Sequence, residues 1–264
     1  MADSERGQVS ASAARIYEDC YLPALFAEWS PRVIESAEIE SGQRAVDVAC
    51  GTGALTRMLA ERIGSQGSVV GVDINEGMLG VARGKAPWID WRLAPAEALP
   101  LDDGSFDSAV CQFGLMYFED RRCALQEMMR VLRPGGSLAV VVWDELDNIP
   151  GLAAEDQLWQ QLFGEEAADE APYSLGDKQV LQQLFTCAGI AGSEIRTHAG
   201  TARFPSIDAW IYAGAKGWTQ DDAIDNQQLE LLLKEAQQKL AGFVTAEGEV
   251  AFATSAHIVT ASKP

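Results

Sequence analysis

The 264-residue chain has few basic residues for its acidic content. Its 20 lysines and arginines stand against 39 aspartates and glutamates, which gives a formal net charge of −19. Proteins that follow the phosphates of a nucleic acid usually carry a basic stripe, so we expect no nucleic-acid partner. The same negative charge discourages docking on anionic lipid, and we expect no stable membrane association.

Metal-binding and export signals are also scarce. The two histidines, His198 and His257, are too few to build a zinc site with five irregularly spaced cysteines that contain no Cys-x-x-Cys pair. We therefore expect no metal, free thiols and a reducing, cytoplasmic location. The longest strongly apolar run, residues 138–143, is far shorter than the roughly 20 residues that span a bilayer. Residues 1–7 are polar and acidic, unlike a signal peptide.

What the chain does contain, beyond residue 40, is an alternation of short apolar strands and amphipathic helices. Strands alternating with helices at this spacing predict an α/β fold with a doubly wound, Rossmann-like sheet. Helices are predicted at residues 55–63, 76–85, 120–132, 177–188 and 226–244. Strands are predicted at 44–49, 68–72, 88–93, 106–111, 137–143, 193–204 and 250–260, with a turn at Pro134-Gly135-Gly136.

The most informative stretch is residues 46–53, VDVACGTG, at the end of the first predicted strand. Gly51 and Gly53 permit a sharp turn and let a ligand approach the main chain without a Cβ in the way. Twenty residues past Gly53, Asp73 closes the second strand, where a carboxylate can accept hydrogen bonds from both ribose hydroxyls. The pattern predicts a nucleoside-bearing cofactor, although nicotinamide and flavin enzymes share this architecture.

Three details separate the candidate cofactors. Thr56 stands where the dinucleotide fingerprint requires a third glycine, and Asp47 would place negative charge beside a pyrophosphate. Only Arg57 and Arg62 lie on the following helix, which is no phosphate cradle. A nucleoside without phosphates and with a cationic amino-acid end satisfies all three, and that cofactor is S-adenosylmethionine.

Five motifs then occur in an order that resembles the class I S-adenosylmethionine-dependent methyltransferases. The chain is most similar to the branch related to ubiquinone and menaquinone biosynthesis, and the resemblance covers roughly residues 40–145. It implies a seven-stranded sheet whose last strand is antiparallel. The motifs are DVACGTG at 47–53, VGVDIN at 70–75, AEALP at 96–100, FDSAV at 106–110 and VLRPGG at 131–136.

The resemblance also implies which residues hold the cofactor. Asp47, Gly51 and Gly53 would surround the methionine end, and Asp73 would hold the ribose. Ile74 and Met78 would pack on the adenine faces, with Ala96 at the adenine edge. Gln112 and Phe113 would lie beside the sulfonium and its methyl group.

One position departs from the family pattern. The residues before Ala96-Glu97 are usually Gly-Asp, and this chain has Ala94-Pro95. A carboxylate that would accept a hydrogen bond from the adenine amino group is therefore missing. We expect Glu97 or water to substitute, with some loss of affinity.

The domain boundaries follow from these motifs. Residues 1–40 are expected to form an N-terminal helical lid, interrupted by Pro23 and Pro31, and residues 41–145 the cofactor-binding core. Residues 146–264 complete the same domain, with substrate-lid insertions at about 146–175 and 205–245 and the last two strands.

The expected function is methyl transfer to a small, apolar or aromatic molecule, because the lid segments are rich in aromatic residues. Transfer to oxygen, nitrogen or carbon stays open, and no catalytic residue is assigned. An NAD(P)-dependent oxidoreductase and a non-catalytic cofactor-binding protein of the same fold are the alternatives; the sequence does not indicate an oligomeric state. Candidate substrate contacts are Tyr17, Tyr21, Trp143 and Arg203.

Overall fold

The computed structural model describes residues 9–167, 170–217 and 224–264. Its seven strands form one sheet in the order β3-β2-β1-β4-β5-β7-β6. Strands β1 to β5 pair in parallel, and β7 runs antiparallel to both of its neighbours, as predicted. The strands are β1 (Arg44–Val48), β2 (Ser68–Asp73), β3 (Asp90–Leu93), β4 (Phe106–Gln112), β5 (Leu132–Trp143), β6 (Glu194–Phe204) and β7 (Val250–Ser262).

Helices surround this sheet and bury its apolar strands. Two of them, α2 and α3, pack on each other and on the sheet, whereas α5 packs on β4 and β5 and also contacts α7. The helices are α1 (Ala11–Ile16), α2 (Trp29–Ser36), α3 (Ala54–Ile63), α4 (Glu76–Lys85), α5 (Arg121–Val131), α6 (Pro150–Phe163), α7 (Lys178–Cys187), α8 (Ile207–Gly217) and α9 (Asn226–Lys239).

The predicted turn at Pro134-Gly135-Gly136 lies inside β5 and does not precede it. Phe106 pairs with Leu132 and Ser108 pairs with Ser137, so six residues of β5 face three of β4. The extra residues form an irregularity that Gly135, with φ of +76°, makes possible. The strand therefore begins earlier than its apolar run suggested.

The N-terminal segment is helical, but its two prolines do not interrupt it. Residues Tyr17–Phe26 form a π-helix that contains Pro23, and the Ala27 amide donates to the Leu22 carbonyl five residues back. Pro31 lies in the first turn of α2, where a backbone N–H has no partner within the helix. The expected breaks are thus wrong, because the wider helix accepts one proline and a helix start accepts the other.

The predicted lid segments meet over one part of the molecule. Helix α8 packs on α1 and on the π-helix, and both α6 and α8 pack on α9. Residues 1–8, 168–169 and 218–223 of these segments lie outside the described residues. Of the helices that the described residues form, none is long and apolar enough to cross a bilayer.

A glycine pair sets how closely β3 approaches the first turn. A Cβ on Gly53 would lie 2.3 Å from the Trp91 ring, and one on Gly71 would lie 2.5 Å from it. The Trp91 indole is fixed there by a hydrogen bond from its Nε1 to the Ala86 carbonyl, at 2.8 Å. Gly53 also has φ of +82° at the start of α3.

We predict that Gly53→Ala lowers the free energy of unfolding by about 1–3 kcal/mol, because the methyl group overpacks against Trp91 at a left-handed backbone position. Gly84→Ala is the matched control: Gly84 lies in α4 and a Cβ there meets nothing within 4 Å. It should raise stability by roughly 0.5–1 kcal/mol. Denaturant titration measures both, and equal stability changes would contradict this account of Gly53.

Candidate functional site

A cleft opens at the carboxyl ends of β1, β2 and β4, with a volume of about 200 Å³. Its lining comes from loops that follow the parallel strands and from the N-terminal segment above them. Eight of the ten residues predicted to hold a cofactor line it: Gly51, Asp73, Ile74, Met78, Ala96, Glu97, Gln112 and Phe113. The structure therefore brings together residues that are 62 positions apart between the first and last of this list.

Asp73 is the best-fixed carboxylate of the cleft. Its Oδ2 accepts a hydrogen bond from the Gly51 amide at 2.7 Å, and its Oδ1 accepts one from the Asn75 amide at 2.8 Å. Burial raises the pKa of Asp73, whereas these amide hydrogen bonds act to lower it. Each oxygen keeps further acceptor capacity, which suits a pair of neighbouring hydroxyls.

Asp47 lies in a recess that adjoins the cleft and shares Gly51, Tyr17 and Gln112 with it. Its carboxylate is 1% exposed and accepts a hydrogen bond from the Thr56 hydroxyl at 2.6 Å. Burial raises the pKa of Asp47 to about 7, with a further upward contribution from the charge of Asp73. A cationic group in the recess would offset the cost of ionising this carboxylate.

The opposite end of the cleft offers apolar surface. Ile74 is 53% exposed beside Asp73, and Met78 lies on the first turn of α4. Asn75 caps that helix by accepting a hydrogen bond from the Met78 amide, which fixes the turn. An aromatic base can pack between such side chains.

The chain after β1 and after β4 adopts left-handed backbone conformations. Gly51, Ala49 and Phe113 have φ of +55°, +58° and +55°, respectively. A Cβ on Gly51 would meet no protein atom within 4 Å, so a side chain there would project into open space at the cleft. Gly53 lines neither the cleft nor the recess, and its contact with Trp91 accounts for the second glycine of the motif.

The N-terminal segment is tied to the end of β4. The Gln112 side chain accepts from the Ser30 hydroxyl at 3.2 Å and donates to the Phe26 carbonyl at 3.4 Å. The next residue, Phe113, stacks on Trp143 with ring centroids 4.0 Å apart and planes 22° from parallel. Tyr17 and Phe26 also line the cleft, so the N-terminal segment forms its roof.

Two ion pairs of one buried carboxylate hold this roof, and the sequence analysis did not predict them. Glu18, on the π-helix, has a side chain that is 4% exposed and lies 2.9 Å from Arg57 on α3 and 2.8 Å from Lys85 on α4. Arg57 also donates to the Thr52 carbonyl in the glycine turn. One carboxylate thus links the lid to both helices that flank the cleft.

A second, smaller cleft of about 80 Å³ lies against the first. Tyr21 and Trp143, predicted as substrate contacts, line it, whereas Tyr17 belongs to the first cleft. Arg203 lines neither, because its neighbours Ala202 and Phe204 face the core and strand alternation turns Arg203 to solvent. A buried carboxylate that the sequence analysis missed, Glu155, also lines this second cleft.

The donor set of the first cleft fits the predicted cofactor. Asp73 would hold the ribose, Ile74 and Met78 the adenine, and Asp47 the cationic end, with Gly51 leaving room between them. Among the described residues, no three histidine, cysteine or acidic side chains cluster so as to hold a metal ion. Both histidines lie on strands, His198 on β6 and His257 on β7, at the end of the sheet opposite β3. His257 contacts Thr197, Gly176 and Asp144.

We predict that Asp47→Asn changes how stability depends on pH. A carboxyl whose pKa is raised in the folded state stabilises the protein at low pH, and this contribution is lost as pH rises toward about 7. The variant cannot ionise, so its free energy of unfolding should exceed that of the parent by a growing margin between about pH 4 and pH 7. Denaturant titrations across this range test it. Asp90→Asn is the control, because it removes one exposed carboxylate and leaves the buried ones in place.

Comparison with known proteins agrees with this geometry. A ubiquinone/menaquinone biosynthesis C-methyltransferase of Stenotrophomonas maltophilia is 39% identical over an alignment of length 149, and the match covers 53% of this chain and 59% of that protein. A demethylmenaquinone methyltransferase of Staphylococcus carnosus is 33% identical over an alignment of length 188, and the match covers 65% of this chain and 78% of the relative. The chain thus spans about three fifths of the first relative's length.

A solved structure shows the same fold. The phosphoethanolamine N-methyltransferase 2 of Haemonchus contortus, in complex with S-adenosyl-L-methionine, superposes with a TM-score of 0.61 at 15% identity, over 96% of this chain and 56% of that one. At this identity the likeness concerns the fold alone. The profile of the ubiE/COQ5 methyltransferase family matches residues 24–200, two thirds of the chain. The chain therefore belongs to the ubiE/COQ5 methyltransferase family, within the class I S-adenosylmethionine-dependent methyltransferases.

Proposed function

We propose that this protein binds S-adenosylmethionine in the cleft and transfers its methyl group to a small aromatic acceptor of the quinone or phenol class. The observation that carries the proposal is the joint placement of two buried carboxylates about one glycine turn. Asp73 is held by the Gly51 amide, and Asp47 lies in the adjoining recess that Gly51 also lines. That arrangement suits a ligand with a sugar at one end and a cation at the other.

The cofactor, when bound, supplies a methyl group on a positively charged sulfur. The protein's own part is to orient and to exclude water. Asp73 fixes the sugar through its remaining acceptor sites, and Ile74 covers the base. Tyr17 and Phe26 close the roof, because Glu18 anchors their helix to α3 and α4.

The acceptor class follows from the second cleft and from the relatives. Tyr21, Phe26 and Trp143 present aromatic surface to it. The relatives described above are named for ubiquinone, menaquinone and demethylmenaquinone, and one is a C-methyltransferase. We therefore propose carbon of a hydroxylated aromatic ring as the methylated atom, and a small molecule, not a nucleic acid, as the partner.

An NAD(P)-dependent oxidoreductase is the less favoured reading. Asp47 lies buried beneath the glycine turn, where it would face the pyrophosphate of a dinucleotide. Like charges repel, so the Asp47 carboxylate would weaken the binding of a dinucleotide. The same titrations that test S-adenosylmethionine also include NAD and so decide between the two.

We predict that Asp73→Asn weakens S-adenosylhomocysteine binding at least tenfold, that is by ~1.4 kcal/mol or more. The amide exchanges one acceptor oxygen for a donor, which loses sugar hydrogen bonds and opposes a backbone N–H. Calorimetric titration measures the dissociation constant, and circular dichroism checks the fold. Asp90→Asn, at an exposed carboxylate of β3, is the matched control and should bind as the parent does.

Two results would refute the proposed function. One is a parent protein that binds NAD and neither S-adenosylmethionine nor S-adenosylhomocysteine. The other is an Asp73→Asn protein that is folded and retains the parent's affinity.

Pro95→Asp tests the departure from the family pattern. Pro95 lines the cleft beside Ala96 and Glu97, and Glu97 is half-buried there. We predict that an aspartate at this position tightens S-adenosylhomocysteine binding by more than twofold, because it restores an acceptor for the adenine amino group. Glu97→Gln in the parent should weaken binding, whereas in the Pro95→Asp background it should matter less. An affinity unchanged within about twofold, roughly 0.4 kcal/mol, would show that position 95 does not limit binding.

A further inference from the structure

The second cleft contains one buried ionisable group that the cofactor site does not use. Glu155, on α6, is 7% exposed, and its Oε2 accepts a hydrogen bond from the Trp210 indole of α8 at 2.6 Å. A Cβ on Gly214 would lie 2.6 Å from Glu155 Oε1, so the glycine leaves space at the second carboxylate oxygen. Both Glu155 and Gly214 line the cleft.

The two clefts share walls. Phe26 and Tyr117 line both of them. Trp143 lines the second cleft and stacks on Phe113 of the first at 4.0 Å. A molecule in the second cleft would therefore lie directly beside the first cleft.

The charges around Glu155 favour a neutral partner. Burial raises the pKa of Glu155 to about 8, Asp156 adds to the rise, and the Trp210 and Trp159 indoles oppose it. The phenols of Tyr21, Tyr117 and Tyr173 line the same cleft, and its described lining includes no arginine, lysine or histidine. An anionic ligand would meet two carboxyl groups. A neutral hydroxyl can donate a hydrogen bond to Glu155, and the raised pKa makes the ionised form of this carboxylate a stronger proton acceptor.

Support of Trp210 does not by itself require a carboxylate. A glutamine can accept the same indole hydrogen bond at a lower desolvation cost. A carboxylate has about four acceptor sites, and the Trp210 hydrogen bond uses one of them. An ionisable group kept in a concave, aromatic site is typical of a functional residue.

We propose that Glu155 binds the hydroxyl group of an aromatic acceptor and takes its proton. In this step the acceptor's O–H bond breaks, the electron pair stays on the acceptor oxygen, and the proton moves to a carboxylate oxygen of Glu155. The resulting oxyanion makes the ring richer in electrons and a better nucleophile. This inference rests on the proposed function, since it assigns a role within the acceptor site of the same reaction.

The test uses the full chain and two matched probes, 1-naphthol and 1-methoxynaphthalene. In the second probe a methyl group replaces the hydroxyl hydrogen, so it cannot donate a hydrogen bond. Calorimetric titration in the presence of S-adenosylhomocysteine should show that Glu155→Gln weakens 1-naphthol binding about fivefold or more and leaves 1-methoxynaphthalene unchanged. Gly214→Ala keeps the charge but crowds Oε1, and it should weaken 1-naphthol in the same selective way. Asp208→Asn, an exposed acid of α8, is the control and should bind both probes as the parent does.

A second readout concerns pH. The parent's affinity for 1-naphthol should increase as pH rises through about 8, where Glu155 ionises, and this increase should be absent in Glu155→Gln. Equal losses for both probes in folded Glu155→Gln and Gly214→Ala proteins would assign Glu155 a packing role and overturn the inference. So would tighter binding of the cation N,N-dimethylbenzylamine than of 1-naphthol. If S-adenosylhomocysteine fails to bind the parent, the proposed function itself fails, which separates the two failures.

Discussion

The structure depends on the hydrogen bond between the Gly51 amide and the Asp73 carboxylate. It joins the turn after β1 to the end of β2, and the second carboxylate oxygen binds the Asn75 amide at the start of α4. One buried side chain therefore fixes a glycine turn, a strand end and a helix start. The cost is an ionisable group held at 9% exposure in a protein whose net charge is already −19. Asp47 repeats this cost nearby, so the cleft concentrates negative charge where a cationic ligand relieves it.

The N-terminal segment is held by a buried carboxylate whose charge, unlike those in the cleft, is already paired with cationic side chains. Glu18 brings a carboxylate into contact with Arg57 and Lys85, two of the few basic residues that the chain has. Because the three residues come from different elements, the two ion pairs set the position of the π-helix relative to α3 and α4. Phe26 of that helix then lies against Phe113 and Trp143, which follow β4 and end β5. The roof and the floor of the two clefts are thus a single packed unit.

The sequence predicts the parts of this arrangement that arise from neighbouring residues. The seven-stranded sheet with its antiparallel last strand, the glycine turn and the position of Asp73 follow from motifs that the family shares, and the turn and Asp73 meet in one cleft. Features that depend on distant contacts escape it. The role of Gly53 requires Trp91, and Glu155 becomes notable only beside Trp210, 55 residues away. Pro23 would break an α-helix but lies within the π-helix that forms here, and Arg203 faces solvent because its neighbours Ala202 and Phe204 face the core.

The π-helix also determines which aromatic rings meet. Tyr17 and Phe26 are nine residues apart, and at 3.6 residues per turn they would lie on opposite faces of a helix. Here their ring centroids are 5.4 Å apart, because the five-residue hydrogen-bonding step widens each turn. A deletion within this segment would change the angle between these two side chains and so turn Tyr17 or Phe26 away from the cleft that both line. The number of residues in this segment therefore matters to the shape of the cleft as well as their identity.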